Sequence, residues 1–334
     1  MRNAIRSGVS GFLLAVVLCL ATAAASAQGW RDGTPMTTAR AFAGAALLGD
    51  ELYVVGGDST SGPRSVAEIY DVRGDIWRAA VALPVGLQQF GMAELNGRLF
   101  VTGGYEELPP RRDELGGFGG SAITEAVAGD TDKVWIYDPK IGSWIAGPSM
   151  PAARAGHGLV AINGKLYAIG GRGDGASRVF VYDPGRDRWE TSGSSMPSPR
   201  VAAAYAVADG LVYAIGGLEG SNASARVDIF DPATGNWRSG PSLPAPRAGH
   251  VAAVLGGKVH VTGGEQRRPL RTYGDHFVLN LAANSWQRAP AMPTPRHGAV
   301  AAAVDGRFIV IGGSPGAGVY TVFTESDMVD IYSE

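Results

Sequence analysis

Six Gly-Gly pairs, each closing an apolar run and each following a Trp at a near-constant distance, predict an all-β chain folded as a six-bladed β-propeller with four-stranded antiparallel blades. The pairs begin at Gly56, Gly103, Gly170, Gly216, Gly263 and Gly312, and the tryptophans are Trp30, Trp77, Trp144, Trp189, Trp237 and Trp286. The interval from Trp30 to Gly56 recurs unchanged in every unit but the fourth, Trp189 to Gly216, which is one residue longer. Chance does not produce that. The composition agrees: 45% hydrophobic, 18% charged, 49 Gly and 20 Pro describe an ordered, turn-rich chain. At 334 residues the length alone suggests two domains, but closed β architectures run this long as one.

The strands of one unit follow in order. A short Ala- and Val-rich run such as Val201 to Val207 reads as the innermost strand, a. Six residues before each Gly-Gly stands a turn position: Asp50, Gly97, Gly164, Gly210, Gly257 or Gly306. Pairs such as Asn96-Gly97 and Asp209-Gly210 accept positive φ and suit two-residue hairpins. The apolar run into Gly-Gly, as in Leu52-Tyr53-Val54-Val55, is strand b. Strand c ends in an aromatic-Asp pair, as in Ile69-Tyr70-Asp71 or Ile229-Phe230-Asp231, and its aromatic lies seven residues before the Trp of strand d. These carboxylates suit turn hydrogen bonds, and the tryptophans suit packing. Blade 5 departs from the pattern, with Leu279-Asn280 for aromatic-Asp and His260 where other blades carry Tyr or Phe. The last unit ends at Ile331-Tyr332 without its Trp, while Trp30 stands alone near the start. The strand around Trp30 is therefore expected to complete the last blade and cover its edge.

The double Gly, the aromatic-Asp pair and the spaced Trp resemble the kelch motif, repeated six times in register over residues 28–334. What precedes reads as a processing segment. Arg2 and Arg6 lead an apolar run from Val9 to Ala25, and Ala25-Ser26-Ala27 offers the small-x-small pattern of a signal-peptidase site. A cleaved signal peptide over residues 1–27 predicts a secreted or periplasmic protein. Cys19, the only cysteine, leaves with it, so no disulfide is expected, and the net charge of −2 becomes −4. No later apolar run is long enough to span a membrane. The acidic balance argues against nucleic acid, which requires a basic stripe.

Strand alternation puts the tight a–b hairpins and c–d turns on one face, and the b–c loops and d–a connections on the other. The second set is longer and more varied, and binding concentrates on such loops. Blade 2 carries about 20 extra residues within 105–132, a Gly-rich insertion that reads as either a lid or a surface excursion. An arginine precedes Gly-Gly at one fixed spacing in five blades, at Arg40, Arg154, Arg200, Arg247 and Arg296; blade 2 has Leu87. One reading makes these a ring of anion-binding guanidinium groups on the loop-rich face. The other has each bonded to neighbouring backbone. The kelch resemblance adds the residue after each Gly-Gly, Asp58, Tyr105, Arg172, Leu218, Glu265 and Ser314, as a pocket rim. His157 and His250 follow their arginines in matching register in blades 3 and 5, and His297 directly follows Arg296; because these places are non-adjacent or different and no carboxylate spacing supports them, a structural role is expected and no metal.

The function expected is an exported binding module for a carbohydrate, an acidic peptide or a protein, with no cofactor and no catalytic set identified. Of the kelch enzymes, the copper-radical galactose oxidase type needs a cysteine that the processed chain lacks. The alternative is a sugar mutarotase resembling N-acetylneuraminate epimerase, with Glu265 or Glu219 and an arginine as its acid-base and carboxylate-clamp groups.

Overall fold

The computed structural model of the chain describes residues 29–106 and 129–334. The described residues form six four-stranded antiparallel sheets, each ordered a-b-c-d from the axis outward. In blade 1 these are Gly44–Leu48, Glu51–Val55, Ala67–Asp71 and Ile76–Ala79. The other inner strands are Gly91–Leu95, Ala155–Ile162, Ala204–Ala208, Ala248–Leu255 and Val300–Val304. They are rich in Ala and Gly because six strands converge there and large side chains would hold the blades apart.

The ring closes as the sequence predicts. Gly29–Gly33 pairs antiparallel with Val329–Ser333 and sets Trp30 opposite Tyr332. The final blade therefore takes its outermost strand from the start of the chain, and the edge of Val329–Ser333 is covered. The Trp30 ring packs against Tyr332, His276 and Phe308, and its indole donates to the Pro290 carbonyl at 2.7 Å.

The hydrophobic core is six layers, one between each pair of neighbouring blades. Leu52, Val54 and Tyr70 of blade 1 meet Ile309, Ile311 and Ile331 of blade 6, and Phe100 and Ile136 of blade 2 meet Leu166 and Phe180 of blade 3. Each sheet thus buries both faces, which explains the continuous apolar runs of strand b.

The repeat residues have clear duties. The a–b turns at Asn96-Gly97, Asn163-Gly164, Asp209-Gly210, Gly256-Gly257 and Asp305-Gly306 have positive φ at both residues, as a type I′ hairpin requires. The aspartates ending strand c accept turn amides: Asp71 from Arg73 and Gly74, Asp138 from Lys140, and Asp231 from Ala233. Asn280 does the same for Ala283, so the departure in blade 5 preserves the turn. The extra residue in the fourth Trp-to-Gly interval fits the bulge in the outer pair of blade 3, where Arg178 and Phe180 face Ser195 and Thr191.

Gly-Gly marks where two blades touch through their backbones. The second Gly donates to the carbonyl preceding the next blade's inner strand: Gly57 to Leu87, Gly104 to Arg154, Gly171 to Arg200, Gly217 to Arg247, Gly264 to Arg296 and Gly313 to Arg40, at 2.8–3.0 Å. A β-carbon on Gly103 would stand 2.3 Å from the Arg154 carbonyl oxygen, and its φ of +58° is already glycine territory. A second circle lies nearer the axis, two residues after each arginine register. Phe42, Gln89, Gly156, Ala202, Gly249 and Gly298 each donate an N–H to the carbonyl of the equivalent residue in the preceding blade, at 2.7–3.1 Å. These six bonds close on themselves into a collar. All six residues have φ between +53° and +65°, three of them without being glycine.

Candidate functional site

The five arginines occupy equivalent places on the d–a connections, but their guanidinium groups turn into the blades. Arg40 is 1% exposed and Arg154, Arg200, Arg247 and Arg296 are 0% exposed. They donate to strand b carbonyls: Arg40 to Val54, Arg154 to Ala168, Arg200 to Ala214, Arg247 to Gly263 and Arg296 to Val310. Of the two readings of these residues, the bonds to neighbouring backbone are what the fold contains.

Their second partner varies with the blade. Two residues before the strand c aromatic register stand Glu68, Trp135, Phe180, Asp228, Phe277 and Asp330. Arg40 meets Glu68 at 2.5 Å, Arg200 meets Asp228 at 2.6 Å, and Arg296 pairs with Asp330. In blade 3, Arg154 lies 4.0 Å over the Phe180 ring, and in blade 5, Arg247 lies over Phe277 and Tyr273. Burial pushes Arg154 and Arg247 down to about 10; no carboxylate offsets it at Arg154, and at Arg247 Asp275, 3.7 Å away, offsets it only in part. Blade 2, without the arginine, sets Trp135 at the partner position.

The rim positions do form one circle around the collar. Asp58, Tyr105, Arg172, Leu218, Glu265 and Ser314 each bridge to the residue one place beyond the arginine register. Their surroundings differ. The Arg172 fork donates to both oxygens of Asp130 at 2.7 and 2.8 Å and to Gln89 of the collar at 2.8 Å. Glu265, 3% exposed, accepts from Arg267 at 3.0 Å and from the Gly318 amide at 2.7 Å, and lies 3.7 Å from His297. Ser314 is fully buried and shares a hydrogen bond with Thr324. Tyr105 retains partial exposure and bridges Gln88 and Asp130.

The histidines lie apart. His157 meets Thr102 at 2.9 Å in the layer between blades 2 and 3, and His250 packs beside Gly216 between blades 4 and 5. Burial holds His157 well below its usual range and His250 at about 3, with Arg154 and Arg247 adding to it. His297 contacts the Gly316 carbonyl, Thr321 and the Phe42 ring. Among the described residues no three metal-donor side chains gather.

Most of the blade 2 insertion falls outside the described residues. Its ends, Glu106 and Gly129, meet: the Glu106 N–H donates to the Gly129 carbonyl at 2.8 Å. A cleft of about 260 Å³ opens between blades 3 and 4, lined by Gly173, Asp174, Ala176, Pro199 and Leu218 among others. Two further loop elaborations were missed by sequence reasoning. In blade 5, strand b runs on to Arg267 and turns back through Leu270–Thr272; in blade 6, Gly318–Phe323 forms a short 3-10 helix. The signal was available in the spacing. The stretches from Gly263 to Leu279 in blade 5 and from Gly312 to Tyr332 in blade 6 are both longer than the equivalent stretch from Gly56 to Tyr70 in blade 1.

Residues 112–313 match the family model described as the KLHDC2/KLHL20/DRC7 Kelch-repeats domain, and residues 39–84 match the Kelch motif. The chain is 31% identical over 163 residues to Kelch-like protein 34 of Homo sapiens, covering 48% of this chain and 23% of that protein. It is 31% identical over 189 residues to Kelch-like protein 35 of Mus musculus, covering 56% and 29%. Beta-scruin of Limulus polyphemus is 26% identical over 169 residues, covering 48% and 17%. The chain therefore spans less than a third of each of these relatives. The solved structure of YjhT superimposes with a TM-score of 0.71 at 18% identity, covering 88% of this chain and 95% of that one, which shows a shared fold. With six Gly-Gly hinges, six inter-blade layers and a family model spanning more than half its length, the chain belongs to the kelch-repeat β-propeller family.

Proposed function

We propose that the protein is an exported interaction module whose partner, most simply another protein, docks on the face made of b–c loops and d–a connections. The observation that carries this reading is the asymmetry of the two faces. One face is closed by two-residue a–b turns; the other holds the unequal loops, all braced on a collar of backbone bonds. A rigid scaffold presenting variable loops on one side is suited to recognition. Affinity capture from the envelope fraction of the producing cell tests it, with the intact chain, a chain shortened across 107–128, and a chain with charges reversed on the a–b face. Loss confined to loop-face changes supports the proposal; loss confined to the a–b face overturns it. A thermal-shift screen with uronic acids, sialic acids and acidic peptides tests small-ligand binding on the same face. Export is tested by N-terminal sequencing of the processed protein, which should begin at Gln28; retention of residues 1–27 in the cell interior would count against it.

A second reading, a sugar mutarotase, draws on the titratable pair Glu265 and His297, 3.7 Å apart on the rim of blades 5 and 6. Burial lowers His297, and a neutral imidazole beside a carboxylate is a usable acid-base combination. Following N-acetylneuraminate anomers by NMR decides: no acceleration over buffer removes this reading.

A further inference from the structure

Among the described residues, seven large hydrophobic side chains stand exposed, and three of them gather on the loop face of blades 5 and 6. Leu270 at the tip of the blade 5 hairpin is 53% exposed, and Tyr320 and Phe323 of the 3-10 helix are 58% and 72% exposed. The two segments are held together. The Gly318 amide donates to Glu265 at 2.7 Å, Thr272 donates to the Pro315 carbonyl at 2.7 Å, and Leu270 lies so close that a β-carbon on Gly318 would stand 2.9 Å from its Cδ2. Thr321 and Thr324 tie the helix down to His297 and Ser314.

The charge on this patch is one-sided although the chain is net acidic. Arg267, Arg268 and Arg271 are exposed on the hairpin, and residues 266–274 and 314–324 contain no Asp or Glu. The neighbouring carboxylates are already engaged: Glu265 is buried and held by Arg267 and Gly318, and Asp275 is held by Arg288 at 3.0 Å and faces Arg247 at 3.7 Å. Glu325, just beyond the helix, faces away to the Thr60 amide. Arg271 lies 5.0 Å over the Tyr273 ring, which orders it without neutralising it. Braced aromatic and aliphatic anchors beside uncompensated guanidinium groups are the composition of a protein-binding hot spot.

We propose that the hairpin Glu265–Thr272 and the helix Gly318–Phe323 form one docking surface for an acidic segment of a partner protein that carries an apolar or aromatic anchor. The anchor sits among Leu270, Tyr320 and Phe323 while its flanking carboxylates meet Arg268 and Arg271. This deepens the interaction-module reading, on which it rests, by naming where the partner binds and what it must contain.

Random twelve-residue peptides displayed on phage are selected on the intact chain, and the recovered peptides are measured by fluorescence anisotropy. The expected result is enrichment of acidic sequences containing Leu, Phe or Trp. Their affinity should fall roughly tenfold with Phe323→Ser and again with Arg268→Ser plus Arg271→Ser, and weaken as salt rises. All three positions are exposed, so the variants should fold; unchanged melting confirms it. Enriched peptides that are neutral or basic, or that bind all variants equally, overturn the docking surface and leave the wider module reading standing. Enrichment of nothing overturns the docking surface too, with the wider reading then resting on the envelope capture. Sedimentation with phosphatidylserine vesicles that depends on Phe323, without any selected peptide, overturns it in favour of a lipid surface.

Discussion

The Phe42 N–H donates to the Gly298 carbonyl at 2.7 Å, and this bond joins the first blade to the last. It is the closing link of the collar, and it does not depend on the Trp30 strand. Gly156 occupies the same place in blade 3 with φ of +65°, where a β-carbon would stand 2.6 Å from Val201 Cγ1. Gly156→Val is expected to lower the unfolding free energy by about 2 kcal/mol or more. Chemical denaturation reads this directly, and an unchanged midpoint would show that the collar tolerates rearrangement.

Trp30 supplies the outer strand of the last blade and packs on Tyr332, His276 and Phe308. Trp30→Ala is expected to cost about 3 kcal/mol, and removal of residues 28–35 to lower the melting temperature sharply. Calorimetry checks both; intact melting of the truncated chain would contradict closure by this strand.

The arginine sites offer a test from within one chain. Blades 1, 4 and 6 pair the guanidinium with a carboxylate, and blades 3 and 5 set a phenylalanine there instead. Asp228→Phe should therefore be better tolerated than Asp228→Ala. Arg200→Ala leaves the buried Asp228 only the half-exposed Arg226, at 3.0 Å, and should cost about 3 kcal/mol. Equal losses from the two Asp228 changes would mean that the ring does not replace the ion pair.

Acid should destabilise the propeller through its buried imidazoles. His276, fully buried beside His260 and Trp30, is held at about 4, chiefly by burial, and His250 at about 3. Below the ordinary histidine range near 6.5 the unfolded chain takes up protons that the folded one refuses, so stability falls as the pH drops. The loss for His276 runs from about pH 6.5 to about 4 and is on the order of 3 kcal/mol. His276→Phe should flatten the pH profile of the melting temperature over that window; an unaltered profile would assign the acid sensitivity elsewhere.

Replacing residues 107–128 with a two-residue turn should leave the melting temperature within about 2 °C. The flanking Glu106 and Gly129 already meet, and Arg172 holds Asp130 in place. A large loss of stability would show that the insertion supports the ring.

Blade number, strand order, hairpin turns and closure were all legible because backbone geometry leaves a residue signature. Asn-Gly marks positive φ, Gly-Gly marks the touching of two backbones, and the missing last Trp pointed to Trp30. The arginines were legible in register but ambiguous in duty. A fixed spacing before Gly-Gly sets where Arg200 starts, whereas its burial depends on Asp228 and on the Ala214 carbonyl, which no local pattern links to it. The collar was hidden for a related reason: Phe42, Gln89 and Ala202 adopt the left-handed conformation without a residue type that announces it. Leu270, Tyr320 and Phe323 sit outside the repeat, so the repeat could not place them.

Since the collar is built of main-chain amide and carbonyl groups, substitution alone cannot remove its donors, proline excepted. The mutual orientation of the blades is set by atoms that every residue type shares. Loops above it are thereby released to diversify: a change at Leu270 or Phe323 alters the surface this face presents without disturbing the wheel that carries it.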